Sequence, residues 1–208
     1  MMEQSTRFIS LSRLSGILAG LTALVGVAFG FLKIRGAATE ENPLMVRLSM
    51  HTTQPYTIQE LLLIGICMLI VSITLGIVLT YKKASEKGQK IWGASSKRLL
   101  INLSIPLVVG GIFALILIQH NLIGLIAPVT LLFYGMALIN ASKYTLNDIR
   151  YLGIFEIVLG LVGSFYIGYG LILWAIGIGV LHIIYGAVMY FKYDWEWLKN
   201  YKRFSKVG

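Results

Sequence analysis

Charge is scarce in this sequence, and that scarcity excludes most soluble architectures. Only 13% of the 208 residues are charged, 57% are hydrophobic, and mean hydropathy is +0.78. A soluble domain carries about 25% charged residues, so this chain cannot cover itself with polar surface. Cysteine is nearly absent: Cys67 stands alone in an apolar run, which excludes an intramolecular disulfide. The three histidines, His51, His120 and His182, are scattered, with no His-x-x-x-His spacing and no carboxylate cluster, so no metal site is expected. No Ser-His-Asp or Cys-His set shares a neighbourhood, and no nucleotide motif is present. These absences point to a chain that is not an enzyme and holds no cofactor.

What is present is long apolar runs. Crossing the ~30 Å hydrocarbon core of a bilayer takes about 20 apolar residues. Two single runs come first, Leu14 to Leu32 and Leu61 to Tyr81. Two blocks of 41 residues follow, Leu99 to Ile139 and Tyr151 to Phe191. One helix of that length would reach about 60 Å, twice the core, so each block folds back as a hairpin. Each has a break near its middle, at Gln119-His120-Asn121 and at Gly168-Tyr169-Gly170. The sequence therefore predicts an all-α bundle of six membrane helices in three hairpins, with spans at 14–32, 61–81, 99–118, 122–139, 151–167 and 171–191. Helices follow because backbone polar groups in lipid must satisfy one another, and the runs are too long and too uniformly apolar for barrel strands.

The net charge of +9 raises nucleic acid as a partner, but the cations sit in short loops and at the C-terminus between apolar runs, where they would face anionic lipid headgroups. With the N-terminus inside, fifteen Lys and Arg fall on cytoplasmic segments, and only Lys33, Arg35 and Arg47 fall outside. That asymmetry sets the orientation, both termini in the cytoplasm. A cleaved signal peptide at span one is disfavoured, because the apolar run is too long and charges separate it from Gly36-Ala37-Ala38. Thr57 with Glu60, after Pro55, fits a capping box opening span two, and Thr145 with Asp148 a weaker one opening span five.

Small residues recur at helix-packing spacing: Gly16, Gly20, Gly26 and Gly30 in span one, Gly153, Gly160 and Gly163 in span five, Gly177, Gly179 and Gly186 in span six. Such faces let helices approach closely where no hydrophobic effect drives association. They serve packing within the bundle or, alternatively, a homo-oligomer or protein partner. Phe133-Tyr134-Gly135 and Ile184-Tyr185-Gly186 lie 51 residues apart, and Lys143-Tyr144 and Lys192-Tyr193 follow them. With the equal block lengths, this hints at a duplicated hairpin, a pattern common in transporters.

Glu156 is the acidic residue clearly inside a span, about 7–8 Å below the cytoplasmic boundary. His182 lies about 13–14 Å deep and Tyr185 about 9 Å deep in the facing span, on one helix face at i and i+3. Asn102 of span three sits at shallow depth on the same side. Glu156, His182, Tyr185 and Asn102 thus form the candidate polar cluster. An ionisable group in lipid is costly and so a functional candidate. The sharp reading is a proton site with His182 or Tyr185 as relay; the plain one is a neutral Glu156 hydrogen-bonded to Tyr185 or His182, joining two helices. Gly168-Tyr169-Gly170 resembles a potassium-channel filter in three letters only. The preceding Thr-Val and a pore helix are missing, so a tight turn is expected.

In the C-terminal segment 192–208, helical spacing puts Tyr193, Trp197, Tyr201 and Phe204 on one stripe, and Lys199, Lys202, Arg203 and Lys206 on the other side. That is a basic amphipathic anchor for an anionic inner leaflet, with partner binding as the alternative.

The stretch from Lys143 through Gly153, with Glu156, Gly168-Tyr169-Gly170, Leu181 to Gly186 and Lys192-Tyr193, resembles small multi-pass inner-membrane proteins of Bacteroidota bacteria. The resemblance runs mainly over residues 143–193. It implies a bacterial inner membrane and carries no activity, since that group has none assigned. Two functional expectations remain: a non-catalytic membrane component (scaffold, regulator or subunit), or a small proton-linked carrier using Glu156 and His182.

Overall fold

The computed structural model describes residues 13–36, 55–86, 93–189 and 191. Every element among them is a helix. They are α1 (Arg13–Gly36), α2 (Pro55–Glu86), α3 (Ala94–Gln119), α4 (Ile126–Ser142), α5 (Ile149–Phe165) and α6 (Gly170–Met189). A 3-10 turn, Ile123–Leu125, leads into α4. Within α6 the segment Ala175–Leu181 is π-helical, between α-helical Gly170–Trp174 and His182–Met189.

Three helical runs among the described residues are long and apolar enough to cross a membrane: Ala94–Gln119, Ile123–Ser142 and Gly170–Met189, of 26, 20 and 20 residues. Their outward faces are aliphatic and aromatic. Leu115 is 63% exposed, with Ile105, Val108, Ile112, Met136, Ile172 and Ile184 also open. Several hydroxyls turn back on their own helix. Thr74 of α2 donates to the Ile70 carbonyl at 2.7 Å and Thr130 of α4 to the Ala127 carbonyl at 2.8 Å, the local pairing expected of hydroxyls in apolar helices.

Both expected breaks are turns. At the first, Asn121 takes a left-handed φ of 58°, a conformation asparagine tolerates better than most residues. At the second, Gly168 has φ 108°, which a side chain would oppose. Only four residues separate Phe165 from Gly170, so the Gly-Tyr-Gly stretch is a hairpin turn with no pore helix before it.

The two expected capping boxes are not where the helices start. Among the described residues helix α2 already includes Pro55, so Thr57 is inside the helix and not at its cap. Helix α5 is preceded at its cap position by Asp148, without a side-chain cap bond. Thr145 lies in the turn before it, 3% exposed, its hydroxyl buried without a hydrogen-bond partner.

The packing is not simply three hairpins side by side. The largest interface joins α4 to α5, α3 packs on α4, and α1 packs on both α2 and the later part of α6. Glycine sets close crossings among these helices. A Cβ placed on Gly135 of α4 would sit 2.5 Å from the Gly153 carbonyl oxygen of α5, and one on Gly153 would sit 2.7 Å from the Gly135 carbonyl. Likewise a Cβ on Gly20 of α1 would sit 2.6 Å from the Gly179 carbonyl of α6, and Gly16 faces Gly186 across the same crossing. Gly26 faces Met68 of α2, and Gly160 faces the Pro128 carbonyl of α4. These small residues face other helices of the same chain, where backbones meet without intervening side chains. The glycines that follow Tyr134 and Tyr185 thus both sit at close crossings. At the end of the bundle holding the α4–α5 turn, Leu138, Leu146, Ile149, Leu152 and Met189 form a buried core, with Tyr134, Leu181 and Tyr185 packed on it.

Candidate functional site

Glu156 is the eighth residue of α5, two turns in, on the face that meets α4 and α6. It is 0% exposed. Room for its carboxyl comes from Gly177: a Cβ there would collide with Glu156 Oε2 and approach the Leu131 side chain at 2.9 Å. Gly177 belongs to the π-helical segment of α6. Such wide turns displace the local helix register and recur at functional sites.

One turn beyond Gly177, His182 is 6% exposed. Its Nδ1 lies 3.1 Å from the Gly177 carbonyl and 3.5 Å from Glu156 Oε1. The first distance is a hydrogen bond; the second is in ion-pair range but too long for a good hydrogen bond. Its Nε2 lies 2.6 Å from the Tyr134 hydroxyl of α4. The Tyr134 and His182 rings also stack, centroids 5.5 Å apart at 27°. Three helices therefore converge on one buried cluster: Tyr134 from α4, Glu156 from α5, His182 and the Gly177 carbonyl from α6.

Glu156 and His182, expected to meet from their depths alone, are brought together. Tyr185 lies beside them on the same face of α6, but neither Glu156 oxygen has a hydrogen-bond partner, so the expected Glu156–Tyr185 and Glu156–His182 hydrogen bonds are not formed. Asn102 is not part of the cluster. Its amide donates to the Arg98 carbonyl of its own helix at 2.8 Å, and α3 packs on the α4 side of the bundle. Matching depth in the sequence says nothing of which way Asn102 faces around its helix.

Tyr134 is the member that sequence reasoning missed as a site residue. Tyr134-Gly135 matches Tyr185-Gly186 in the repeated triplets, a match that hints at duplication and says nothing of which helix Tyr134 faces. Among the described residues no group of three or more His, Cys, Asp and Glu side chains could hold a metal ion.

A second concavity lies between α1 and α2, about 270 Å³, lined by Thr22, Val25, Phe29, Leu63, Cys67 and Met68 among others. Its lining is mostly aliphatic and aromatic, with the free Cys67 among it. The anchor residues Tyr193, Trp197, Lys199, Tyr201, Lys202, Arg203, Phe204 and Lys206 lie outside the described residues, as does most of the expected outer segment Lys33 to Glu60. Comparison of the chain with protein-family models, with curated proteins and with solved structures finds no match.

Proposed function

We propose that the chain is a multi-pass protein of the bacterial cytoplasmic membrane, crossing it six times with both termini inside, and that it works as a non-catalytic component: a scaffold, regulator or subunit acting through partners. The membrane reading is supported by the outward faces. A soluble monomer rarely exposes apolar patches beyond a few hundred Å², whereas Leu63, Ile66, Ile77, Leu115, Phe155 and Phe165 are each more than half exposed. In lipid those faces are solvated. The fifteen-to-three distribution of Lys and Arg supplies the orientation, and the basic aromatic segment 192–208 anchors the chain to the anionic inner leaflet. The resemblance over 143–193 agrees with a bacterial inner membrane.

The observation that carries the non-catalytic reading is the enclosure of Glu156. The ionisable residue deepest in α5 is fully buried, and both its oxygens are shielded from solvent. A carrier needs its site to reach water on one side or the other; here the carboxyl is enclosed between α4 and α6, beside the Tyr134–His182 hydrogen bond that joins those helices. The carrier reading keeps one favourable observation, the proximity of three titratable groups, Tyr134, His182 and Glu156, which is the composition of a proton relay.

Affinity purification of the tagged chain from native membranes tests the function. A stoichiometric protein partner is expected; a chain that purifies alone with a bound small molecule would favour the carrier. Topology is tested by single-cysteine labelling in a Cys67→Ser background. Positions Ser85 and Ser205 should label only from the cytoplasm, and Thr39 and Asn121 only from outside. Labelling of Ser205 from the outer side would overturn the six-span arrangement.

A further inference from the structure

The hydrogen bonds of His182 fix which of its nitrogens carries hydrogen. Gly177 offers a carbonyl, which can only accept, so Nδ1, 3.1 Å away, is the donor. A neutral imidazole has one donor and one acceptor. Nε2 is then the acceptor, and the Tyr134 hydroxyl at 2.6 Å donates to it. The alternative, an imidazolium, requires Glu156 to be its carboxylate counter-ion. A buried carboxylate needs several donors. Neither Glu156 oxygen has one, because the nearest N–H, on His182 Nδ1, is engaged by Gly177.

We propose that Tyr134, His182 and Glu156 form one proton-binding site, in which Glu156 holds the proton as a neutral acid and His182 is locked as its Nδ1–H tautomer. The site rests on the membrane reading above, since only a lipid-facing bundle keeps the three helix bodies dry. The other ionisable groups near it are few. Tyr185 lies next to it on α6. Helix α1, packed on the far side of α6, has none between Gly16 and Leu32, and α3, packed on α4, has Lys97 and Arg98 near its start. Among the described residues no side chain stands in for the missing donors at either Glu156 oxygen.

The arrangement has a directional consequence. His182 already carries hydrogen on the nitrogen nearest Glu156, so it cannot take the Glu156 proton there. A hop from Glu156 to His182, the relay expected from the sequence, is blocked in this conformation. Release of the proton needs α5 and α6 to part enough for the carboxylate to find water. The site is thus a proton-dependent latch between those helices, closed while Glu156 is neutral.

The test uses the full chain in lipid nanodiscs. Infrared difference spectra on raising the pH should show loss of a carboxylic-acid C=O band, and that band should be missing from Glu156→Gln. A second measurement needs no change at Glu156: with ¹⁵N-histidine, the resonance that shifts in Tyr134→Phe should report a neutral ring with hydrogen on Nδ1 at pH 7. An imidazolium signal there, or the absence of any Glu156-dependent acid band, would overturn the proposal. Failure of the membrane reading shows separately, as release of the chain from native membranes by alkaline carbonate.

Discussion

Gly135→Leu should lower stability by about 3 kcal/mol or more, the upper end of what overpacking costs in a close-packed interior. The reason is what the new side chain meets. A Cβ at Gly135 would lie 2.5 Å from the Gly153 carbonyl oxygen and 3.0 Å from the Ile157 amide nitrogen. These are backbone atoms of α5, fixed by helical hydrogen bonds, so no rotamer change relieves the clash. The α4–α5 crossing, the largest interface among the described helices, must open, and lost contact along its whole length adds to the local strain. Gly111→Leu is the control: it is the same exchange in a helix interior, at a position with nothing within 4 Å. Thermal unfolding of both variants in detergent should show a large drop for Gly135→Leu and none for Gly111→Leu. Helix propensity favours Leu over Gly at both positions, so equal drops would contradict the account, because the loss would then not depend on the α4–α5 crossing.

Gly177→Ala is expected to cost about 1–3 kcal/mol, and the cost should depend on Glu156. The added methyl would occupy the space of the Glu156 carboxyl, with Leu131 closing the other side at 2.9 Å. A flexible side-chain end can often swing away. Glu156 cannot do so freely, since it is fully enclosed between α4 and α6. Removing the carboxyl in Gly177→Ala/Glu156→Ala should return part of the loss, leaving a coupling on the order of 1 kcal/mol, within the range for residues in direct contact. Costs that simply add in the double variant would show that Gly177 is needed for the π-helical backbone and not for the acid beside it.

Helix existence was legible in the sequence because hydropathy over about 20 residues reports it directly. The ends were less so. Span two, read as 61–81, extends through Pro55–Glu86, because a helix continues past the apolar stretch into its polar flanks and only the apolar part is marked by composition. Counting residues from the ends of the apolar runs also brought Glu156 and His182 together, and they lie 3.5 Å apart. Rotation about the helix axis was not legible. Asn102 and Tyr134 both lie in spans at workable depths, yet only Tyr134 faces the cluster, since that is decided by which helices are neighbours. Neighbourhood in turn depends on the glycine crossings: Gly135 against Gly153 sets Tyr134 beside α5, and Gly20 against Gly179 holds α6 to α1. The small-residue pattern identified faces but not their partners. The π-helical turn left no trace either. Gly177 and Gly179 read as packing residues, whereas Gly177 also clears space for an acid and turns its carbonyl to His182.

The central claim, that the Glu156 cluster ties helices and is not a conduit, is tested most directly by proton uptake into sealed liposomes holding the purified chain under a potassium-diffusion potential. The account predicts that the wild-type chain takes up protons no faster than Glu156→Gln, which keeps a side chain of similar size and polarity but cannot titrate. Uptake by the wild type that a stably folded Glu156→Gln abolishes would contradict it.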